Sequence, residues 1–264
     1  MSHIEGEIVT EARGKVWLMG IKRPAKLNGF TPKMMKELGA AYTALESRDD
    51  VQVGVLYAVG DHFTAGLDLP AMAPLMQRGE SAVGPSDIDP FDLRAVGPRR
   101  IKPLVVGVRG ITYTLGIELM LAADIVVAGS DCRFAQLEVK RGIMATGGAT
   151  VRIAERAGIG NAMLILLTGE EFHSADALRM GLVQKVVAPD AVFDCALEIA
   201  GRIAKEAPLA VRATRANVLD AVKDGAEAAI AQFASVQKRL ANSEDAKEGV
   251  AAFIEKRPPQ FRGQ

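Results

Sequence analysis

The sequence predicts an α/β fold with a helical C-terminal third. In the first half of the chain, short apolar segments alternate with loops and helical patterns, which is typical of βα units. From Ala149 onward the apolar residues recur at helical spacing, interrupted at Gly158 and Gly181. The 264 residues suit one large domain, or one domain with a small appendage.

The N-terminal elements follow from apolar alternation and from turn and capping residues. Glu7–Thr10 and Lys15–Ile21 are predicted strands, joined by a turn at Gly14. Thr31 is a suitable cap for a helix over residues 32–47, because a proline stands at the first helical position.

The later elements are assigned in the same way. Buried strands are predicted at Val51–Tyr57, Pro103–Val108 and Asp124–Ala128. Helices are predicted at Asp68–Met76, Gly116–Ala123, Ala191–Ala207, Pro208–Val222, Ala226–Leu240 and Glu244–Glu255. Gly110–Leu115 is predicted to be a loop. Gly79–Asp89 is rich in Gly, Ser, Asp and Pro, which favours a mobile lid or active-site loop.

Composition and charge exclude several classes of protein. Lys+Arg and Asp+Glu both number 32, so the strongly basic character of a nucleic-acid-binding protein is missing. Cys132 and Cys195 lie far apart, which does not indicate a disulfide framework or a zinc site. The N-terminal segment has acidic residues and no apolar run, and no long apolar segment follows. We therefore expect a cytoplasmic protein without a membrane or nucleic-acid partner.

Several common catalytic motifs are also missing. The sequence has no phosphate-binding glycine loop of either common type and no nucleophile elbow. The histidines, His3, His62 and His173, are isolated, which favours solvated or structural roles over catalytic ones.

Two segments carry the features most typical of a site. Phe63–Leu69 follows a strand with small residues and leads into a helix, so its backbone N–H groups are exposed at a positive helix end; alone, it could equally be a tight turn. Glu118 lies in the first turn of an otherwise apolar helix, where burial of a carboxylate is costly. Glu138 follows 20 residues later, after a strand. Each could be a helix-terminus acid, but two facing carboxylates suit general acid–base chemistry.

Together these segments resemble the crotonase superfamily, the enoyl-CoA hydratase/isomerase family. The similarity runs nearly end to end and rests on the order and spacing of five segments: Arg23–Asn28, Phe63–Leu69, Gly116–Leu119 with Ala123-Asp124, Phe134–Glu138 and Glu248–Arg257. Two segments depart from the family pattern. Thr114-Leu115-Gly116 stands where a run of glycines is usual, and Ala145-Thr146 stands where Pro-Gly is usual.

The resemblance implies a fold and an assembly. The expected fold is a crotonase-like spiral of ββα units over residues 1–200, with a helical trimerisation region over residues 201–264. The expected assembly is a homotrimer or homohexamer, in which the tail around Phe261 and Arg262 reaches a neighbour's CoA site.

The resemblance also implies site residues. The backbone N–H groups of Leu67 and Leu115 would form an oxyanion hole, and Glu118 and Glu138 would be the two catalytic glutamates. The other residues expected to contact substrate are Lys26, Ala65, Gly66, Asp68, Leu69, Met72 and Gly116. Leu69, Met72, Leu75 and Met76 form a stripe at helical spacing, which predicts either ordinary core or the acyl pocket.

The predicted activity is hydration of a 2-enoyl-CoA, because both glutamates are retained. No metal or separate cofactor is expected, since coenzyme A belongs to the substrate. Two alternatives stay open: another crotonase-type reaction (isomerisation, CoA-ester hydrolysis or decarboxylation), and a non-catalytic acyl-CoA-binding protein.

Overall fold

A computed structural model describes residues 5–93 and 97–264; His3 lies outside these residues. Over the described chain the strands are β1 (Glu7–Arg13), β2 (Val16–Lys22), β3 (Val53–Ala58), β4 (Leu104–Val108), β5 (Ile111–Tyr113), β6 (Ile125–Gly129), β7 (Arg133–Ala135), β8 (Phe172–His173) and β9 (Lys185–Val187). The larger sheet has the order β1-β2-β3-β4-β6-β9. Only its β1–β2 pair is antiparallel. The smaller sheet has the order β5-β7-β8.

The helices surround and extend these sheets. They are α1 (Pro32–Ser47), α2 (Leu69–Arg78), α3 (Leu115–Ala122), α4 (Ala149–Ala157), α5 (Ile159–Thr168), α6 (Ser174–Arg179), α7 (Val192–Ile203), α8 (Pro208–Asp224), α9 (Ala226–Ala231), α10 (Phe233–Ala241) and α11 (Glu244–Glu255). The mixed α/β class and the helical C-terminal third are as the sequence predicts.

The central strands β2, β3 and β4 of the larger sheet are buried because their side chains alternate between two helical layers. On β2, Met19 and Ile21 pack in the cluster that contains the inner face of α1, whereas Val16 and Leu18 pack with α7. This explains why these three strands are almost uniformly apolar. As a consequence, polar groups concentrate in the loops that leave the strands.

The predicted helix with the Thr31 cap is confirmed, since the Thr31 hydroxyl accepts a hydrogen bond from the Met34 N–H at 3.3 Å. The loop predicted at Gly110–Leu115 is wrong in its centre, because β5 pairs in parallel with β7 there. The single helix predicted over Ala226–Leu240 is wrong as well, since α9 and α10 meet at Gln232. Strands β8 and β9 were not predicted, because two and three residues are too few for visible alternation.

The half-buried carboxylate of Asp124 joins α8 to the rest of the core. Asp124 Oδ2 accepts from Arg100 Nη1 at 2.7 Å, and Asp124 Oδ1 accepts from Arg215 Nε of α8 at 2.8 Å. Burial alone would raise the pKa of Asp124, but these two guanidinium groups hold it below its usual range. Helix α8 is thereby fixed to the start of β6.

Several helical side chains leave apolar surface exposed. Phe253 and Ile254 of α11 are 85% and 72% exposed, and Ile159 of α5 is 70% exposed. The C-terminal tail lies on its own chain, where the backbone N–H groups of Arg262 and Gly263 donate to Asp245. No described helix is long and apolar enough to cross a membrane.

Candidate active site

A cavity of about 500 Å³ opens where α2 and α3 meet the loops that leave β3, β4 and β7. Because parallel strands present their carboxyl ends at one edge of a sheet, these loops converge there. Both predicted catalytic glutamates and both predicted oxyanion residues line this cavity. Its apolar walls are formed by Met35, Met72, Met76, Val83, Phe91, Leu137, Ile143 and Met144.

Backbone hydrogen bonds hold two of these loops side by side. The Thr64 N–H donates to the Ile111 carbonyl at 3.1 Å, and the Tyr113 N–H donates to the Thr64 carbonyl at 3.0 Å. Gly116 permits their close approach, since a Cβ there would lie 2.8 Å from the Thr64 Cγ2 atom. The two loops therefore form one rigid cavity wall.

This wall carries the two predicted oxyanion donors. Leu115 is the first residue of α3, so its N–H has no acceptor within the helix. The N–H of Leu67 follows Gly66, which has a φ of 105°. Within residues 5–93 and 97–264, neither N–H donates to a protein acceptor. Two unpaired N–H groups beside one cavity are suited to a developing negative charge.

Glu118 is 6% exposed, as its apolar surroundings predict. Its Oε1 atom accepts the Gly147 N–H at 2.6 Å and the Ala149 N–H at 3.3 Å. Burial and the nearby charge of Glu138 raise the pKa of the Glu118 carboxyl to about 7, although the two N–H groups act in the opposite direction. Glu118 is thus a fixed carboxyl that can exchange a proton near neutral pH.

Glu138 lies in the 3₁₀ turn Glu138–Arg141 that follows β7. Its side chain is half-buried, and its Oε2 atom is buried without a hydrogen-bond partner in the described chain. Burial raises the pKa of this carboxyl too. Ionisation of either carboxyl makes ionisation of the other harder, so the two titrate as a pair.

The other predicted substrate-contacting residues divide into two groups. Ala65, Leu69 and Met72 line the cavity. Gly66 and Gly116 do not line it; they are buried within the wall formed by the two loops. In the predicted stripe on α2, Met76 also lines the cavity and Leu75 does not.

Lys26 and Asp68 lie outside the cavity lining. Lys26 is exposed in a 3₁₀ turn, Pro24–Lys26. Asp68 caps α2 and forms an ion pair with the buried Arg23 at 2.8 Å. In this chain Asp68 therefore fixes the start of the helix that forms one wall of the cavity.

Sequence reasoning missed two contributors to the site and anticipated a third. The N–H groups of Gly147 and Ala149 donate to Glu118. The only sign of this contact in the sequence is the pair Gly147-Gly148, which begins 29 residues after Glu118. The segment predicted as a lid or active-site loop, Gly79–Asp89, does line the cavity, and it contributes the buried Val83. Thr114 also lines the cavity, and its φ of 47° has no sequence signal because threonine rarely adopts it.

Comparison with known proteins decides the family. The family model for enoyl-CoA hydratase/isomerase matches residues 11–264. The chain belongs to the enoyl-CoA hydratase/isomerase family. The family predicted from the sequence is thus confirmed. The prediction of an enzyme of the hydratase type is also confirmed, since several relatives are named enoyl-CoA hydratases.

Relatives of this family match over nearly their whole length. The 2,3-dehydroadipyl-CoA hydratase of Escherichia coli K12 is 31% identical, with 98% of this chain and 99% of that protein covered. Enoyl-CoA hydratase EchA19 of Mycobacterium tuberculosis is 32% identical, with 98% and 97% covered.

Solved structures of the family also share the fold. A structure described as a probable enoyl-CoA hydratase/isomerase from Mycobacterium abscessus superposes with a TM-score of 0.94 at 43% identity, covering 97% of this chain and 98% of that one. An enoyl-CoA hydratase from Mycobacterium tuberculosis gives a TM-score of 0.86 at 32% identity, covering 97% and 99%. The predicted crotonase-like fold is confirmed.

Proposed function

We propose that this enzyme hydrates a 2-enoyl-CoA to a 3-hydroxyacyl-CoA with Glu118 and Glu138 as its catalytic residues. The observation that carries the proposal is one cavity that holds two carboxyls of raised pKa opposite unpaired backbone N–H groups. Water addition to a conjugated thioester needs both a base and an acid, together with stabilisation of an enolate oxygen.

The backbone N–H groups of Leu67 and Leu115 act on the thioester oxygen. When water attacks the β-carbon, the π electrons of the double bond move toward the carbonyl, and negative charge collects on its oxygen. Donors fixed in a packed wall need little reorganisation to meet that charge, and one such donor is worth about 10²–10³ in kcat.

The glutamates divide the proton transfers. The Gly147 and Ala149 N–H groups favour the ionised form of Glu118, which accepts a proton from the attacking water. We assign the acid role to Glu138, whose Oε2 atom is buried without a hydrogen-bond partner in the described chain; it delivers its proton to the α-carbon as the carbonyl re-forms. The proton then passes from Glu118 to Glu138 before the next turnover, and the net reaction consumes one water.

The rest of the cavity fits an acyl chain. Met72, Met76 and Val83 present apolar surface to it, and methionine adapts to varied shapes. We propose this region as the acyl pocket, and the exposed Lys26 as a contact of the CoA moiety outside it.

The residues exposed on α5 and α11 support a further proposal, that the chain assembles as a trimer or a pair of trimers through residues 201–264 and α5. Clustered apolar side chains such as Phe253 and Ile254 are costly to leave in water. Light scattering that finds a monomer at micromolar concentration would contradict this assembly.

The decisive experiment is hydration of crotonyl-CoA by Glu118→Gln and Glu138→Gln. The amide keeps the shape of each side chain but cannot exchange the proton, so we expect each variant to lose about 10²–10⁴-fold in kcat. Glu198→Gln is the matched control, because Glu198 is an exposed carboxylate on α7. It should hydrate crotonyl-CoA at the wild-type rate.

Other outcomes separate the alternatives. Loss of activity in Glu138→Gln with near-wild-type activity in Glu118→Gln would indicate that one carboxyl suffices, as in double-bond isomerisation. Full activity in both variants would show that the pair is structural, and the hydratase proposal would then be wrong. Binding of butyryl-CoA should change little in either variant, because backbone N–H groups hold the thioester.

A further inference from the structure

Thr114 has a backbone conformation that threonine rarely adopts. Its φ is 47° and its ψ is −115°. A β-branched side chain at positive φ is a true outlier, and such outliers concentrate at functional sites when the surrounding structure holds them in place. The conformation suits glycine, so the threonine side chain is retained here against a local penalty.

The surrounding backbone fixes this conformation. The Thr114 N–H donates to the Ala135 carbonyl at 2.9 Å. The Thr114 carbonyl accepts the Ile117 N–H at 2.9 Å and the Glu118 N–H at 3.2 Å. Thr114 is therefore held from both sides, and its side chain has little freedom to turn away from the cavity wall.

The side chain lies in the gap between the two oxyanion loops. A Cβ on Gly66 would overlap the Thr114 Oγ1 atom, which is closer to that position than any other atom of the threonine. Gly66 immediately precedes Leu67, and Thr114 immediately precedes Leu115. The hydroxyl thus lies between the peptides that carry the two proposed oxyanion donors.

The hydroxyl is also available to a ligand. Thr114 lines the cavity and is partly exposed. Over the described parts of the chain its hydroxyl makes no hydrogen bond to protein. A threonine hydroxyl can donate one hydrogen bond, and no carboxylate or carbonyl of this wall uses it.

We propose that the Thr114 hydroxyl is a third oxyanion donor, which hydrogen-bonds to the thioester oxygen together with the N–H groups of Leu67 and Leu115. The inference rests on the proposed hydratase function. It assigns a catalytic role to a side chain in a hole otherwise built from backbone, and it explains why the strained conformation is kept.

Three substitutions distinguish the effect of the Thr114 hydroxyl from the effects of backbone strain and of side-chain volume. Thr114→Val keeps the branched shape and removes the hydroxyl. Thr114→Ser keeps the hydroxyl and removes the methyl group. Thr114→Gly removes both the hydroxyl and the methyl group but adopts the backbone conformation without strain. It can therefore replace Thr114→Val in the test if that variant folds poorly.

We expect kcat for crotonyl-CoA to fall about 10²-fold in Thr114→Val and Thr114→Gly, the lower end for one oxyanion donor. Thr114→Ser should stay close to wild type. The melting temperature of Thr114→Gly should rise although its activity falls, a combination that a purely structural role does not produce.

A spectroscopic measurement makes the test independent of turnover. The carbonyl stretch of bound butyryl-CoA should move to lower frequency in wild type and Thr114→Ser, and by a smaller amount in Thr114→Val and Thr114→Gly. If wild type hydrates crotonyl-CoA and Thr114→Gly matches it in rate and carbonyl shift, the inference is overturned and the proposed function stands. If wild type hydrates no enoyl-CoA but the carbonyl shift still depends on the hydroxyl, the proposed function fails and the inference stands.

Discussion

The surroundings of Glu118 and Glu138 differ more than their shared cavity implies. Glu118 belongs to a helix whose eight residues are all buried, and two N–H groups from the start of α4 bind one of its oxygens. Glu138 begins a 3₁₀ turn in which no residue is buried, and one of its oxygens is enclosed without a donor. The first carboxyl is buried and held by two backbone N–H groups, whereas the second is half-buried with one oxygen enclosed and unpartnered.

This difference teaches how one residue type can supply two roles. Burial raises the pKa of both carboxyls, but at Glu118 two N–H groups oppose that effect and favour the charge that a base must carry. A substitution beside Glu118 should therefore change activity in a way that the corresponding substitution beside Glu138 does not.

The largest expected effect comes from Gly147→Ala. A Cβ at Gly147 would lie 2.5 Å from Glu118 Oε2, so the carboxylate must move out of its position. Misplacement of a reacting group by about 1 Å costs about 10²-fold in rate, and we expect a loss of that size in kcat.

Gly142→Ala is the matched change beside Glu138. Gly142 has a φ of 71° and open space around its Cβ position, so alanine there strains the backbone without touching the carboxyl. It should lower the melting temperature and leave kcat near wild type. Equal losses of kcat in the two variants would remove the distinction between the two surroundings.

The pH dependence should show the pair directly. With the pKa of Glu118 raised to about 7, the coupled pair loses its last proton near that pH, whichever carboxyl holds it. Above that pH neither carboxyl holds the proton that the α-carbon needs, so kcat/KM should fall, approaching about tenfold per pH unit. A rate that stays level from pH 7 to pH 9 would show that the reaction needs no proton from this pair.

A smaller effect is expected from Arg152→Met. The Arg152 guanidinium donates to the Phe91 carbonyl at 2.7 Å, and its charge lowers the pKa of Glu118. Removing that charge should shift the alkaline limb to higher pH, while Arg152→Lys should keep the limb in place. Arg141→Met, beside Glu138, should not move it. If all three variants share the wild-type profile, Arg152 does not act on the carboxyl pair.

Much of the fold could be predicted because its signals are local. The Thr31 cap and the apolar segments at β3, β4 and β6 specify their elements within a few residues. Burial of Glu118 could also be predicted, since its helix offers no polar face. The break at Gln232 could not be predicted, because apolar spacing continues through it and no glycine or proline marks it.

The site was less predictable because its contacts are remote in sequence. The N–H groups of Gly147 and Ala149 reach Glu118 across 29 and 31 residues. Strand β5 has only three residues, and its existence depends on β7. Thr114 shows the limit most clearly, since its side chain gives no indication of a conformation that the neighbouring backbone imposes.

The carboxylate shared by Arg100 and Arg215 has a consequence for synthesis of the chain. Arg215 lies 91 residues beyond Asp124, so a ribosome working at about 5–20 residues per second adds it about 5–18 s later. During that interval a nascent chain holds Asp124 with one of its two guanidinium partners, and the surface that α8 will cover is bare. Helix α3 ends two residues before Asp124. The start of β6, just beyond that helix, therefore gains its contact with α8 only after residue 215 has been added.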